Sequence, residues 1–181
     1  MAWMSDTGPR SAASPLYVSD LMSDYATPTA AGFALPTGMV TFVMTDIEGS
    51  TRAWERSPAD MSAAVARQYE ILDLAVSTHR GVRPLEQGEG DSVVAAFSRA
   101  SDAVAAALDA QLALAGEEWP VGAELRVRMA VHTGEAQLRD ERNYFGPVVI
   151  RCARIRDVGH GGQLPACCRP GRSSTMSASS A

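Results

Sequence analysis

Lysine is absent from this chain, so all 16 Lys-or-Arg positions are arginines. That absence excludes a Walker-type phosphate loop, which needs its Lys, and any mechanism through a lysine Schiff base. Cysteine is scarce. Cys152, Cys167 and Cys168 are an odd set without paired spacing, so neither a disulfide framework nor a zinc site is expected. This usage reads as a reducing, cytoplasmic setting. No apolar run approaches the length of a membrane span. The N-terminus has neither the basic region nor the apolar core of a signal peptide. A net charge of −5 argues against nucleic acid or a membrane surface as partner. What is present is 181 residues, 46% of them apolar, which suits one domain with flanking segments.

Residues 1–36 are rich in Ser, Thr, Pro and Ala without a sustained period. They read as a disordered segment, with a weak helical pattern over 16–25. Residues 39–45 form a β-rich apolar run, expected as a buried strand. Ser57-Pro58 reads as an N-cap and first helical position. Met61, Val65, Leu72 and Val76 then share one face of a long helix ending near His79, with Gly81 as its cap. Residues 82–86 and 92–97 read as two strands joined in a hairpin by "QGEGD". Residues 100–115 are an Ala-rich helix with Val104, Leu108 and Leu112 on its apolar stripe. Residues 125–132 alternate, with Val127, Met129 and Val131 facing one way and Arg126 and Arg128 the other. Residues 147–158 read as a last helix. The order predicts an α+β, ferredoxin-like sandwich with helices on one face of an antiparallel sheet.

The stretch "TFVMTDIEGSTRAWE", residues 41–55, ends an apolar strand on Asp46 and passes at once into a small polar turn. Asp91 stands at the tip of the expected hairpin. Adjacent strands would bring the two carboxylates within reach of one Mg²⁺ or Mn²⁺, completed by phosphate oxygens and water. A pair of such ions suits displacement of pyrophosphate by a hydroxyl. Backbone N–H groups of Glu48, Gly49, Ser50 and Thr51, at a helix start, would meet the phosphates. Taken singly, each Asp also reads as an ordinary turn or cap residue. The bland reading is preferred for His132 (a structural hydrogen bond on the polar face of its strand), for His160 (helix termination) and for Trp54 (core or dimer contact). Arg151 and Arg156 read as solvated or interface residues.

Four blocks, "FVMTDIEGSTRAWE", "GEGDSVVAAF", "VRMAVHTGEA" and "NYFGPVVIRCARIRD", resemble in order the catalytic domain of class III nucleotidyl cyclases. The likeness is to the actinobacterial type often found ahead of ATPase and helix-turn-helix regulators. It covers residues 39–163 and implies a cyclase domain over 37–163. It implies that Asp46 and Asp91 bind two Mg²⁺ or Mn²⁺ ions, with the Ile47 carbonyl as a further contact, and that residues 48–51 face the triphosphate. It implies that Arg154 stabilises transition-state charge, and that ATP, or GTP, is cyclised between two chains of a homodimer or of a heterodimer with a related cyclase. Gln87 and Asn143 stand at the base-selecting positions, where adenylyl cyclases usually place Lys and Asp. Ile150 replaces the Asn that orients the ribose. After "HGGQ" the pattern is lost, and residues 164–181 read as an aberrant, disordered tail, as if the gene were frameshifted or truncated. Two readings therefore stand: a weak cyclase, or a cyclase-like module that dimerises, binds nucleotide or lends its metal half to a partner.

Overall fold

The computed structural model describes residues 34–86 and 90–168. The weak helical pattern at 16–25 and the end of the tail lie outside these residues. Their order is β1 (Gly38–Ile47), α1 (Ser50–Arg56), α2 (Pro58–Thr78), β2 (Val93–Phe97), α3 (Ala100–Gly116), β3 (Val127–Asp140), β4 (Asn143–Phe145), α4 (Pro147–Asp157) and β5 (Ala166–Cys168). The sheet runs β2-β1-β3-β4 with antiparallel neighbours, and β5 joins β3 in parallel. This is the expected α+β class.

Strand periodicity explains how the sheet is covered. Val43, Ile47, Val127, Met129 and Val131 lie on one face, in a core with Met61, Val65 and Leu72 of α2 and the alanines of α3. Val40, Phe42, Met44 and Ala130 lie on the other, with Val148 and Cys152 of α4. So α2 and α3 share one face, as expected of a sandwich, while α4 covers the opposite one. Leu35 joins this second core, so the packed domain begins before residue 37. Tyr144 anchors it by donating to the Pro36 carbonyl at 2.7 Å. Its ring meets Phe42 edge-on at 4.9 Å, a contact worth about 0.5–1.5 kcal/mol beyond its area.

The structure differs from the sequence reading in five further places along these elements. The first is the inward face of α3. Ala103, Ala106, Ala107, Ala110 and Leu114 are buried, while Val104, Leu108 and Leu112 are 45%, 52% and 64% exposed. Both stripes repeat at helical spacing, so periodicity could not choose between them. Small side chains let the helix sit close to a sheet face it shares with α2.

The second is the expected strand at 82–86. Val82 pairs with β2 as an isolated bridge, exchanging both hydrogen bonds with Ala96 at 2.9 and 2.8 Å. Pro84 has no N–H for a ladder. Leu85 then donates to the Arg142 carbonyl and Glu86 to the Asn143 side chain, so the segment crosses to the β3–β4 hairpin.

The third is Gly81. The left-handed residue after α2 is Arg80, with φ 59°, and Gly81 instead allows a close approach. A Cβ there would lie 2.4 Å from Phe97 Cε1 and 2.8 Å from Val76 Cγ1. Gly81→Ala should therefore destabilise the domain by about 1–3 kcal/mol, the usual range for overpacking. A melting temperature several degrees lower in thermal denaturation would confirm this, and an unchanged one would refute it.

The fourth is His132. It is buried, and its Nδ1 donates to the Cys167 carbonyl at 2.9 Å. The structural hydrogen bond is there, but on a covered face.

The fifth is the start of the tail. Met129 and Val131 donate to the carbonyls of Gln163 and Pro165 at 3.2 and 3.1 Å. Leu164 packs on the first core, and β5 follows. Pro165 still offers its carbonyl, which is what this sheet edge uses.

Candidate functional site

Asp46 lies near the end of β1, directly opposite Arg128 of β3. The Arg128 guanidinium donates to Asp46 Oδ2, and both side chains are largely shielded. Asp91 lies two residues before the start of β2. The Ile47 backbone and the Ser50 side chain lie against its carboxylate and favour its ionised form, so the β1–α1 turn wraps around it. Its Oδ2 is buried and has no hydrogen-bond partner among the described residues. Burial first, and the Asp46 charge second, push the Asp91 carboxyl up to about 6. Desolvation and a like charge both disfavour the ionised form. A cation between the carboxylates would relieve both costs.

That unpartnered oxygen fits a dication. The described residues hold no group of three His, Cys, Asp or Glu side chains that would cage a metal by themselves. Two carboxylates suit an ion of the Mg²⁺ type, which keeps several waters and takes further oxygens from substrate phosphates. Beside the carboxylates is a cleft of about 320 Å³ lined by Ser50, Thr51, Trp54, Glu55, Val65, Gly90 and Asp91. Trp54 packs on the first core as well.

The turn into α1 is made by Gly49 in the left-handed region, φ 71°. Ser50 and Thr51 open the helix and line the cleft, where first-turn N–H groups have no intrahelical acceptor. Glu48 departs from the expected phosphate loop. Its N–H is held by the Arg126 carbonyl at 2.9 Å. Its carboxylate turns away to accept the Gly161 N–H at 3.3 Å, with His160 Nδ1 at 3.7 Å. The short loop is thus 49–51.

Asn143 also departs from its expected role. It is buried, and its Oδ1 accepts the Glu86 N–H at 2.8 Å. Its Nδ2 donates to both Asp140 carboxylate oxygens at 3.1 and 3.0 Å. An amide so engaged locks the β3–β4 hairpin and has little capacity left for a purine edge. Gln87 lies outside the described residues, although its neighbour Glu86 is tied to Asn143.

Ile150 and Arg154 lie one turn apart on α4 and are exposed, Ile150 to 53%. Because α4 covers the sheet face opposite α2, none of the bonds formed by Asp46 or Asp91 involves them. The structure brings Asp46, Ile47, Ser50 and Asp91 together, and keeps Ile150 and Arg154 apart from them.

No family model matches the chain. An uncharacterised protein of Mycobacterium tuberculosis is 48% identical over 129 residues, which are 71% of this chain and 42% of that protein. An adenylate cyclase of Lachancea kluyveri is 35% identical over 155 residues, 72% of this chain and 8% of that enzyme. The chain thus spans less than half the length of these curated relatives. Among solved structures, an adenylate cyclase of Trypanosoma brucei in its monomeric state has a TM-score of 0.64 at 26% identity, covering 76% of this chain and 75% of that one. A monomeric guanylyl cyclase domain from Blastocladiella emersonii agrees in fold, with a TM-score of 0.62 at 19% identity over 74% of this chain and 82% of that one. The described chain is a class III nucleotidyl cyclase catalytic domain.

Two residues of this cyclase domain escaped the sequence reading. Arg128 was grouped with Arg126 as merely polar, and only the β1–β3 register sets it against Asp46. Arg156, read as a solvated or interface residue, has a side chain only 17% exposed and donates to Ser92 Oγ at 2.9 Å and to Asp157 Oδ1 at 2.8 Å. Their signal in sequence was charge on an otherwise apolar pattern, which marks many surface residues equally. Arg151 is exposed, as read.

Proposed function

We propose that this cyclase domain converts ATP, or GTP, to the 3′,5′-cyclic nucleotide and pyrophosphate. The ribose 3′-oxygen forms a bond to the α-phosphorus, the bond from that phosphorus to the pyrophosphate oxygen breaks, and the hydroxyl proton leaves to solvent. Asp46, Asp91 and the Ile47 carbonyl would hold Mg²⁺ or Mn²⁺. Such ions, when bound, supply Lewis-acid stabilisation of phosphoryl charge. The single observation that carries this reading is the buried, unpartnered Asp91 Oδ2 beside Asp46 and the cleft. Ser50 and Thr51 would orient the phosphates, and Arg128 adds a cation beside them. Arg154, exposed on α4, would act on the nucleotide held by a second chain, so the working unit is a homodimer, or a heterodimer with a related cyclase.

Ile150 favours a second reading. Its side chain has no hydrogen-bonding group for a ribose, so each site of a homodimer lacks that contact. On this reading the chain binds nucleotide and dimerises without appreciable turnover, or lends its metal half to a relative carrying Asn. The deciding experiment incubates purified protein with ATP or GTP and Mn²⁺ and looks for cyclic product by mass spectrometry. Cyclic product supports the enzyme. A folded, dimeric sample that binds nucleotide but forms none supports the regulatory module.

A further inference from the structure

Around Asp46 and Asp91 runs a set of hydrogen bonds that neither carboxylate makes itself. Ser92 follows Asp91 in sequence, and Thr45 precedes Asp46. Ser92 Oγ donates to the Thr45 carbonyl at 3.0 Å. Ser92 and Thr45 are both buried, at 5% and 1% exposure. This bond ties β2 to β1 at the two residues flanking the carboxylates. A hydroxyl has one proton to give and two lone pairs to receive with. One of those receives the Arg156 guanidinium at 2.9 Å. Asp157 holds the rest of that guanidinium, accepting from Nε at 3.1 Å and from Nη2 at 2.8 Å. The chain of contacts therefore runs from the end of α4, through Arg156 and Ser92, to the backbone between Thr45 and Asp46.

We infer that Ser92 and Arg156 are positioning residues for the carboxylate pair: the Arg156–Ser92–Thr45 relay sets the spacing of Asp46 and Asp91 that a dication needs. The inference rests on the proposed reading of that pair as the metal half of the site. Three physical points support it.

First, Asp91 belongs to no regular strand. It lies two residues before β2, and Ser92, the next residue, anchors the backbone beside it through its bond to Thr45. Second, two carboxylates side by side repel each other, and something other than their own bonding must hold them at a fixed distance. Third, a bond donated by a charged guanidinium is roughly twice as strong as a neutral one. Arg156 thereby polarises the Ser92 hydroxyl and strengthens its donation to Thr45. The same helix presents Arg154 to solvent two residues earlier. One chain thus links the end that would serve its own metals to the end that would serve its partner's nucleotide.

The test is Mn²⁺ binding without nucleotide, on the full chain, read by electron paramagnetic resonance of free Mn²⁺ with thermal denaturation alongside. Asp91→Asn should abolish binding. Ser92→Ala and Arg156→Met should each weaken the Mn²⁺ dissociation constant by about 10–100-fold, the usual cost of losing a partner that orients a ligand. Arg156→Lys, which can still donate to Ser92, should recover part of that loss. Ser92→Ala removes one oxygen and creates no clash, and the thermal denaturation run alongside checks that it folds. If Ser92→Ala and Arg156→Met bind Mn²⁺ as the parent does while Asp91→Asn does not, the positioning role is overturned and the metal reading survives. If the parent binds no Mn²⁺, or Asp91→Asn binds it equally well, the metal reading fails and the inference falls with it. A drop in melting temperature matched in all three variants by unchanged affinity marks a purely structural relay and also overturns it.

Discussion

Asp46→Ala should eliminate the proposed cyclic-product formation, lowering turnover by about 10³-fold or more. The expectation rests on the geometry of the carboxylate pair. Asp91 is buried with one oxygen unpartnered among the described residues, and alone it provides too little charge to hold a dication against water. Removing Asp46 takes away the second carboxylate and leaves Arg128, whose side chain is 23% exposed, without its counter-charge. Arg128 then adds positive charge where a cation should bind. A plain loss of activity would be ambiguous, because stripping one partner from a shielded ion pair also destabilises the fold. Asp46→Asn keeps the shape and an acceptor for Arg128, and should be as inactive as the Ala variant while melting closer to the parent. Mass spectrometry of the cyclic nucleotide and thermal denaturation, on both variants, separate the two effects. An active Asp46→Asn protein would remove Asp46 from the chemistry. The experiment extends to a mixture with Arg154→Ala. If the site is shared between chains, equal parts of the two dead proteins regain about a quarter of parental activity, since half the dimers are mixed and each mixed dimer has one intact site. No recovery from proteins shown to exchange subunits would place Arg154 outside the site.

Ile150→Asn should raise the proposed cyclase turnover by about 10²–10³-fold, the size typical of one transition-state hydrogen bond. Ile150 lies on the exposed face of α4 with Arg154 one turn away, so a side-chain amide there points the same way as the arginine. Exposure also means that the change costs little stability, since an apolar group half in water buries little area. The check is kcat with ATP and with GTP, parent against variant. A gain confined to kcat marks a contact made in the transition state, whereas a gain confined to KM marks ground-state binding. No change in either would mean that the ribose is oriented from elsewhere, and would strengthen the regulatory reading.

Asn143 shows where sequence reasoning and structure part. Its spacing from Arg154 placed it at a base-selecting position, and that spacing is real. Yet its amide is engaged by Glu86 and Asp140. Spacing along a chain reports where a backbone goes, not whether a side chain arrives with hydrogen bonds to spare. Glu48 repeats the lesson, because its carboxylate is drawn to Gly161, 113 residues away. The α3 helix gives the apolar version, in which two equally periodic stripes competed and the smaller one went in.

Legible in the sequence alone were the α+β class, the strand ending near Asp46, the strands after residues 92 and 125, the helices after Pro58, Ala100 and Pro147, the two carboxylates and the missing polar group at Ile150. These are local properties: period, turn chemistry and residue type are written along the chain. The tertiary structure alone decided that Arg128 faces Asp46, that Arg156 reaches Ser92, that Asn143 locks a hairpin, that α4 takes the far face of the sheet and that the residues after Leu164 add a strand. Each of these depends on which distant segments meet. That is set by strand register and by the packing of a shared core, and no window of sequence contains it.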